Sequence, residues 1–241
     1  LPYLHLINFI LKKYFFLFFI TLITGCTSIK KEMSLNIVID GFKKGNIYLQ
    51  KIQDSTLINI DSIFIENNKA IILKHEINSP EIFFINLDIS KNDNRIEFFG
   101  EEGDIDIKTT LKKFSSEFKV SGSYNDSIYR KYLNIIKQFN YKRLDLIKKS
   151  FEISQNKKLD SVKLIESEIE NLNKRQYLYS LNYAVTNGDS HVAPFIALNE
   201  FSQGSKVLLD TIKNSLSKDV LSSKYGTMLE KTIEALWTKV H

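Results

Sequence analysis

Apolar and polar residues alternate with a period of two from Leu35 to about Ser121. β-Branched and aromatic residues dominate these stretches and turn-forming residues separate them, which is typical of half-buried strands. Short strands at roughly ten-residue spacing favour an antiparallel β-sandwich or a partly open barrel over residues 35–122. The eight candidate strands are residues 36–42, 46–52, 57–65, 70–77, 81–88, 95–100, 104–110 and 117–122.

After Gly122 the apolar spacing changes to three and four, which predicts helices for residues 123–241. A first helix is expected over 123–151, and a turn near 155–157 leads into a second. Three shorter helices are predicted over 192–201, 206–216 and 225–239. The second helix carries a heptad seam with one polar member, formed by Val162, Ile165, Ile169, Leu172, Gln176, Tyr179 and Tyr183.

These patterns predict an α+β fold, with an N-terminal antiparallel β domain (35–122) followed by a C-terminal α-helical domain (123–241) that contains a long helical hairpin. The β region holds 11 basic and 14 acidic residues from Ser34 to Gly122, whereas the helical region holds 18 and 13. This opposite charge bias weakly favours packing of the two regions on each other.

The N-terminal 25 residues follow a third pattern, with Lys12 and Lys13 ahead of the apolar run Tyr14 to Ile23. A run of about ten apolar residues is shorter than the roughly 20 needed to cross a bilayer and fits the core of a signal peptide. We therefore predict a signal peptide over residues 1–25 and a polar tether over 26–34.

The segment Leu22 to Cys26 resembles the bacterial lipobox, in which an apolar residue and two small residues precede an acylated cysteine. The resemblance implies lipid attachment at Cys26, which cleavage would make the first residue of the mature chain. One alternative is a buried free cysteine at the end of a membrane helix, and another is translation from Met33, which would make the protein cytoplasmic. Lys30 and Lys31 stand where surface-exported lipoproteins carry acids, which favours a lipid-anchored, periplasm-facing protein of the cell envelope.

Composition argues against nucleic-acid binding. The net charge is +5, and from Cys26 onward 31 basic residues face 28 acidic ones. No basic stripe interleaved with exposed aromatic residues is present in the sequence, so we expect no nucleic-acid partner.

Metal chemistry is also not expected. The four histidines, His5, His75, His191 and His241, lack ligand-type spacing. An acidic stretch could hold Ca²⁺, but a hairpin turn with Gly103 at positive φ is the favoured interpretation. Its acidic residues are Glu101, Glu102, Asp104 and Asp106.

No catalytic constellation is evident. The sequence has no GxSxG elbow and no Gly-rich phosphate loop, and Ser190 and His191 are adjacent rather than arranged as a nucleophile and its base. Acylation of Cys26, the single cysteine, would remove thiol chemistry as well. We therefore predict a protein that is not an enzyme and needs no cofactor, although two carboxylates meeting in a cleft stay an open alternative.

Several motifs resemble a known family. The segments DGFKKGNIYL (40–49), DSIFIENNKA (61–70), PEIFFINL (80–87) and GDIDI (103–107) are similar to the N-terminal domain of unknown function of Bacteroidota envelope thioredoxin-like oxidoreductases. SHVAPFIAL (190–198) and SSKYGTML (222–229) resemble the segment that leads into the redox domain of those proteins. Their CxxC-containing domain is expected to be lacking here, so the resemblance supplies no catalytic residue.

The sequence thus predicts a non-enzymatic lipoprotein that acts as a binding or docking module, anchored in the bilayer through Cys26 and contacting an envelope protein partner. The alternative is the truncated or split docking part of a periplasmic thiol-disulfide oxidoreductase, with a thioredoxin-like protein as its partner. A third hypothesis is self-association through the heptad seam of the second helix.

Overall fold

The computed structural model describes residues 31–66, 70–89, 95–155, 159–202 and 206–238. The predicted signal peptide, Cys26, His5 and His241 lie outside the described residues. Residues 31–241 form one compact unit. Its described part contains its own apolar cores, so we expect this unit to fold without the residues that precede it.

All eight predicted strands are present. Period-two alternation predicted the strands because each strand buries one face. The observed ends of the strands differ from the predicted ends by a few residues. The first strand begins at Glu32, inside the segment 26–34, because the side chain of Met33 is fully buried. The strands are β1 (Glu32–Asp40), β2 (Lys44–Gln53), β3 (Thr56–Glu66), β4 (Ile71–Glu76), β5 (Glu81–Leu87), β6 (Ile96–Gly100), β7 (Gly103–Thr110) and β8 (Phe118–Ser121).

The strands form two four-stranded sheets, with the orders β4-β1-β7-β8 and β3-β2-β5-β6. The two sheets are not joined into a barrel, which decides the fold in favour of the sandwich. Pairing is antiparallel except between β1 and β7, which run parallel with Met33 opposite Gly103. The predicted all-antiparallel pairing therefore fails at this one pair.

The sandwich core lies between the sheets, where the inward-facing residues of both meet. Large side chains fill it, including Leu35, Ile37, Phe83 and Phe98, none of which is exposed to solvent. The rings of Phe83 and Phe98 stack with their centroids 6.0 Å apart. This buried layer supplies the main apolar stabilisation of the β region.

Six α-helices follow among the described residues. They are α1 (Tyr124–Gln155), α2 (Leu159–Thr186), α3 (Val192–Phe201), α4 (Lys206–Ser215), α5 (Lys218–Ser222) and α6 (Lys224–Thr238). The sequence analysis missed α5, because five residues are too few to show a helical period.

A second apolar core joins these helices to the outer face of the β3-β2-β5-β6 sheet. Ile82, Phe84 and Phe99 point outward from that sheet, while their neighbours Phe83 and Phe98 point into the sandwich. Each Phe-Phe pair therefore places one ring on each face of the sheet. The helical residues of this core include Tyr129, Tyr132, Ala184, Val192, Ala193, Ile196, Phe201, Leu209, Ile212, Tyr225, Leu229 and Ile233.

The helical hairpin of α1 and α2 has a small third core. Leu146 of α1 packs with Ile165 and Leu172 of the predicted seam. Gln176, the polar member of the seam, accepts a hydrogen bond from the guanidinium of Arg143. The seam of α2 is therefore used within the chain, where it holds α2 against α1.

Candidate functional site

Neither of the two histidines that the structure describes, His75 and His191, belongs to a cluster of residues that could bind a metal ion. His75 on β4 packs edge-to-face against Phe83, with ring centroids 6.1 Å apart. His191 precedes α3 and is almost completely buried, and its Nε2 lies 3.9 Å from a carboxylate oxygen of Asp219. Burial lowers the pKa of both histidines, so their neutral forms are favoured.

The acidic stretch at 101–106 is used for structure. Gly103 has a φ of +112°, which confirms the predicted positive φ. The predicted hairpin is wrong, because β6 and β7 belong to different sheets and residues 101–102 connect the two sheets. Glu101 accepts hydrogen bonds from the backbone amides of Tyr124 and Asn125 and therefore stabilises the N-terminus of α1. Asp106 accepts a 2.7 Å hydrogen bond from the side chain of Asn36. Within the part of the chain that the structure describes, no group of three or more His, Cys, Asp or Glu residues could hold a metal ion.

Ser190 and the backbone amide of His191 are held in a hydrogen-bond network around Asn125. Its Oγ donates to Oδ1 of Asn125 at 2.9 Å, and the same oxygen accepts from the backbone amide of His191 at 2.9 Å. Asn125 thereby ties the beginning of α1 to the turn before α3. Its side-chain amide also donates to Glu101.

A cavity of about 720 Å³ lies between the outer face of the second sheet and the helices. We call it the interlayer groove. Such a volume falls within the usual range of ligand pockets. One face of α1, α3 and the start of α6 line it on the helical side, and β5, β6 and the β2–β3 turn line it on the other. The lining residues include Ile52, Asp54, Ile82, Phe84, Glu97, Tyr129, Tyr132, Leu133, Ile136, Phe195, Leu198, Glu200, Lys224, Tyr225 and Met228.

Aromatic rings form the floor of the groove. Tyr129 and Phe195 in the floor contact each other edge-to-face, and both pack in the same geometry on Phe99, which is buried beneath them, with centroid distances of 5.5 to 5.6 Å. The ring of Tyr225 lies 5.1 Å from that of Phe195. The edge-to-face geometry is favourable for aromatic pairs and gives the floor a fixed shape.

The phenolic groups of the floor are fixed by hydrogen bonds. Tyr129 donates to the carboxylate of Glu97 at 2.6 Å, and the hydroxyl of Tyr225 accepts from the backbone amide of Ile82 at 3.0 Å. Burial raises the pKa of both tyrosines, and the negative charge of Glu97 raises it further. Both phenols therefore stay protonated at neutral pH and cannot serve as general bases.

The rim of the groove is acidic. Glu97, Glu200 and Asp54 lie on it. The one lysine in the lining, Lys224, forms an ion pair with the buried carboxylate of Glu81, which also lies 3.5 Å from Lys51. The rim therefore offers an excess of negative charge around an apolar floor.

A second cavity of about 810 Å³ shares Lys224 and Met228 with the groove. Charged and polar side chains of both signs line it, among them Lys31, Asp189 and Lys231. These charges largely compensate one another, so the cavity has no clear preference for an apolar ligand or for a ligand of either charge. The interlayer groove is the better candidate site.

The sequence did not predict the groove. A helix was expected over 123–151, but no residue in it was identified as lining a cavity. The groove unites six segments that are separate in the sequence, so no local pattern identifies it.

Residues 33–129 match the model of a family described as a domain of unknown function, DUF4369. The match covers the eight strands except for Glu32 of β1 and continues to Tyr129 in α1, so it includes Asn125 and its contacts with Glu101. It supports the predicted resemblance to a domain of unknown function. No significant match was found among curated proteins or among solved structures. None of the described helices is both long and apolar enough to span a bilayer.

Proposed function

We propose that the protein is a lipid-anchored envelope lipoprotein of the Bacteroidota type, and that it works as a binding module whose ligand occupies the interlayer groove. The groove supports this proposal most directly, because it combines a fixed aromatic floor with a few polar groups at its edge. The module has no catalytic role in this proposal. The side chains with reactive potential near the groove are hydrogen-bonded phenols and paired charges.

The charges at the rim define the class of ligand. Glu97, Glu200 and Asp54 favour a positive group, while the aromatic floor accommodates an apolar or aromatic body and can itself contact a cation. A ligand with an apolar body and a cationic end fits this arrangement. An anionic ligand of the same shape would be repelled.

The anchoring part of the proposal rests on Cys26. Two or three acyl chains on one residue bind a bilayer stably, whereas a single chain does so only marginally. Mass spectrometry of the membrane fraction is expected to find an acylated N-terminus at Cys26, and Cys26→Ser is expected to release the protein from the membrane. A free thiol at Cys26 in soluble protein would contradict the anchor and leave the groove untouched.

The groove can be tested with a neutral fluorescent probe, N-phenyl-1-naphthylamine, added to purified residues 31–241. Leu198→Trp should weaken probe binding by roughly tenfold, because the larger ring fills part of the cavity. Ile72→Trp is the matched control, since Ile72 is 63% exposed on β4 of the other sheet. Equal binding by both variants would contradict the groove as the ligand site.

Competition against the probe tests the ligand class. Dodecylamine should displace the probe at a concentration at least about threefold lower than dodecanoate, because the rim is acidic. Glu200→Gln should reduce this preference, and Glu234→Gln, an exposed change on α6 outside the groove lining, should not. A preference for dodecanoate would refute the cationic ligand class while leaving the groove as a binding site.

A further inference from the structure

Gln50 on β2 has a buried polar atom that no other part of the described chain pairs with. The residue is only 9% exposed, and its Nε2 donates a 2.7 Å hydrogen bond to Oδ1 of Asn59 on the neighbouring strand β3. Its Oε1 is buried and accepts no hydrogen bond from the described residues. Most buried acceptors in folded proteins are paired, because an unpaired one loses its hydrogen bonds with water and gains none in return. A hydrogen-bond donor from outside the chain would therefore be stabilised at Oε1 of Gln50.

Gln50 borders the interlayer groove on the side of the sheet. Leu49, its neighbour on β2, points into the sandwich core, so the side chain of Gln50 is on the outer face. Ile52 is two residues further along the same face and lines the groove. Phe84 stands directly opposite Gln50 on β5 and lines the groove as well. Opposed residues of paired strands have Cβ atoms about 4.5–5.5 Å apart, so Gln50 adjoins the groove lining on two sides.

The amide of Gln50 is oriented so that its free oxygen is turned away from β3. Strands β3 and β5 lie on opposite sides of β2. The Nε2 atom is directed to Asn59 on β3. Because Nε2 and Oε1 are the two diverging branches of one planar amide, Oε1 is directed away from Asn59.

Gln50 belongs to a row of outward-facing residues that crosses the sheet. Phe84 pairs with Gln50 on one side and with Glu97 of β6 on the other. Neighbouring strands are about 4.8 Å apart, so the backbones of Gln50 and Glu97 are about 10 Å apart, with Phe84 between them. The row therefore places an uncharged acceptor and a carboxylate on either side of one aromatic ring.

The carboxylate of Glu97 also has an oxygen available for a ligand. Tyr129 donates to its Oε1 at 2.6 Å, and none of the residues that the structure describes donates to its Oε2. The guanidinium of Arg130 binds the carboxylate of Asp126 and the backbone carbonyl of Glu97 rather than the Glu97 side chain. A cation in the groove can therefore contact Glu97 without displacing a charged side chain.

An ammonium group above the ring of Phe84 would use all three members of the row. A point half-way between Gln50 and Glu97 is about 5 Å from each strand, so both side chains are long enough to bring an oxygen within about 2.9 Å of it. The face of an aromatic ring attracts a cation. A primary ammonium carries three N–H donors and can donate to both residues at once. A quaternary ammonium has the same charge but no N–H group, and it would leave Oε1 of Gln50 unpaired.

We propose that Gln50 determines the specificity of the interlayer groove: its Oε1 accepts a hydrogen bond from the ammonium group of the ligand, so that the protein prefers primary amines to quaternary ones. This inference rests on the proposed function, because it requires that the groove binds a cationic ligand. It goes beyond the acidic rim, which attracts all cations of equal charge alike. A buried acceptor distinguishes between such cations, because the ligand without a donor leaves it unpaired.

Two ligands of equal charge and equal chain length test this preference. Dodecylamine carries N–H donors and dodecyltrimethylammonium carries none. Each is titrated against N-phenyl-1-naphthylamine bound to residues 31–241. Dodecylamine should displace the probe at a concentration at least about fivefold lower, since a hydrogen bond from a charged donor is lost with the quaternary ligand.

Gln50→Met removes the acceptor and keeps the length of the side chain. The preference for dodecylamine should fall to less than about twofold, through weaker binding of dodecylamine and unchanged binding of dodecyltrimethylammonium. Gln138→Met is the matched control, because Gln138 is exposed on α1 outside the groove lining, and it should keep the full preference. A structural role of Gln50 alone would weaken both ligands by the same factor. Circular dichroism checks that each variant is folded.

Three results would overturn the inference while leaving the groove as a binding site. The first is equal displacement by the two cations, which the unmodified protein decides without any variant. The second is an unchanged preference in Gln50→Met, which would assign the preference to the size of the headgroup. The third is loss of dodecanoate instead of dodecylamine binding in Gln50→Met, which would mean that the amide presents its N–H group. Failure of both cations to displace the probe would overturn the proposed ligand class together with this inference.

Discussion

Oδ1 of Asp126, in the first turn of α1, accepts a 3.0 Å hydrogen bond from the backbone amide of Phe99 on the edge strand β6. The same carboxylate bonds the guanidinium of Arg130 one turn later, and Arg130 donates in turn to the carbonyl oxygen of Glu97. Two residues of α1 thus satisfy one amide and one carbonyl group that an edge strand leaves unpaired. The helix substitutes for a further strand and fixes the position of the groove floor.

Loss of Asp126 should therefore destabilise the protein strongly. Asp126 is only 1% exposed, so Asp126→Ala would leave the buried amide of Phe99 without its acceptor and would remove the carboxylate that pairs with the half-buried Arg130. We expect a decrease of about 3 kcal/mol in the free energy of unfolding, measured by urea denaturation. Asp145→Ala, an exposed change on the same helix, should alter it by less than about 0.5 kcal/mol. Similar effects of the two variants would show that the β6 contact contributes little.

Two glycines with positive φ should respond differently to alanine. A Cβ at Gly122 would lie 2.1 Å from the carbonyl oxygen of Asp104, whereas one at Gly103 would meet nothing within 4 Å. Gly103→Ala should cost about 1 kcal/mol of stability from backbone strain alone. Gly122→Ala should cost more than about 3 kcal/mol, because the clash adds to the strain. Thermal unfolding measures both variants, and equal melting temperatures would contradict the clash.

The hairpin should unfold more easily than the rest of the molecule. Its core of Leu146, Ile165 and Leu172 is separate from the two larger cores, so few contacts hold its distal half. Leu172→Ala should destabilise the hairpin by about 2–4 kcal/mol. Hydrogen exchange should then be faster in α1 and α2 and unchanged in β1, as expected for local opening. The matched control is Leu164→Ala, since Leu164 is exposed. Uniform loss of protection would indicate a single cooperative unit.

Stability should fall as the pH is lowered through the range in which histidine titrates. Burial lowers the pKa of His191 and of His75, with Asp219 and Glu101 near the former and Lys51 and Asp61 near the latter. The unfolded state then binds more protons below its histidine pKa of about 6.5. The stability contributed by the neutral histidines is complete above that pH and is lost as the pH falls to the folded-state values.

Urea denaturation between pH 8 and pH 5 measures this dependence. As the pH falls over that range, the unmodified protein should lose stability relative to His191→Gln. It should lose stability relative to His75→Gln as well. Parallel pH profiles for all three proteins would mean that neither histidine is protonated more readily in the unfolded state.

Local patterns in the sequence were sufficient for most of the secondary structure. Alternation identified every strand because each strand buries one face. The parallel partner of β1 could not be predicted, since period two reports burial and not which strands are neighbours. α5 was missed because a helix of five residues is too short for a periodic signal, although Ser217 caps its N-terminus.

The candidate site was less predictable than the fold. Glu101 was considered as a residue of a hairpin turn or as a Ca²⁺ ligand, but it binds the N-terminus of α1. Its partner Asn125 is more than 20 residues away in sequence, so only the folded chain reveals the contact. The groove likewise arises from the packing of helices on a sheet face.

The parallel pairing of β1 with β7 affects how the chain can fold as it emerges N-terminus first. Contacts such as Asn36 with Asp106 join residues 70 positions apart, whereas β1 meets β4 over about 42 positions. One edge of β1 therefore stays unpaired until β7 has been synthesised. Closing so long a loop slows folding, because chain entropy is lost before the contacts form. During that interval the exposed edge of β1 would be the part of the nascent chain most in need of a chaperone.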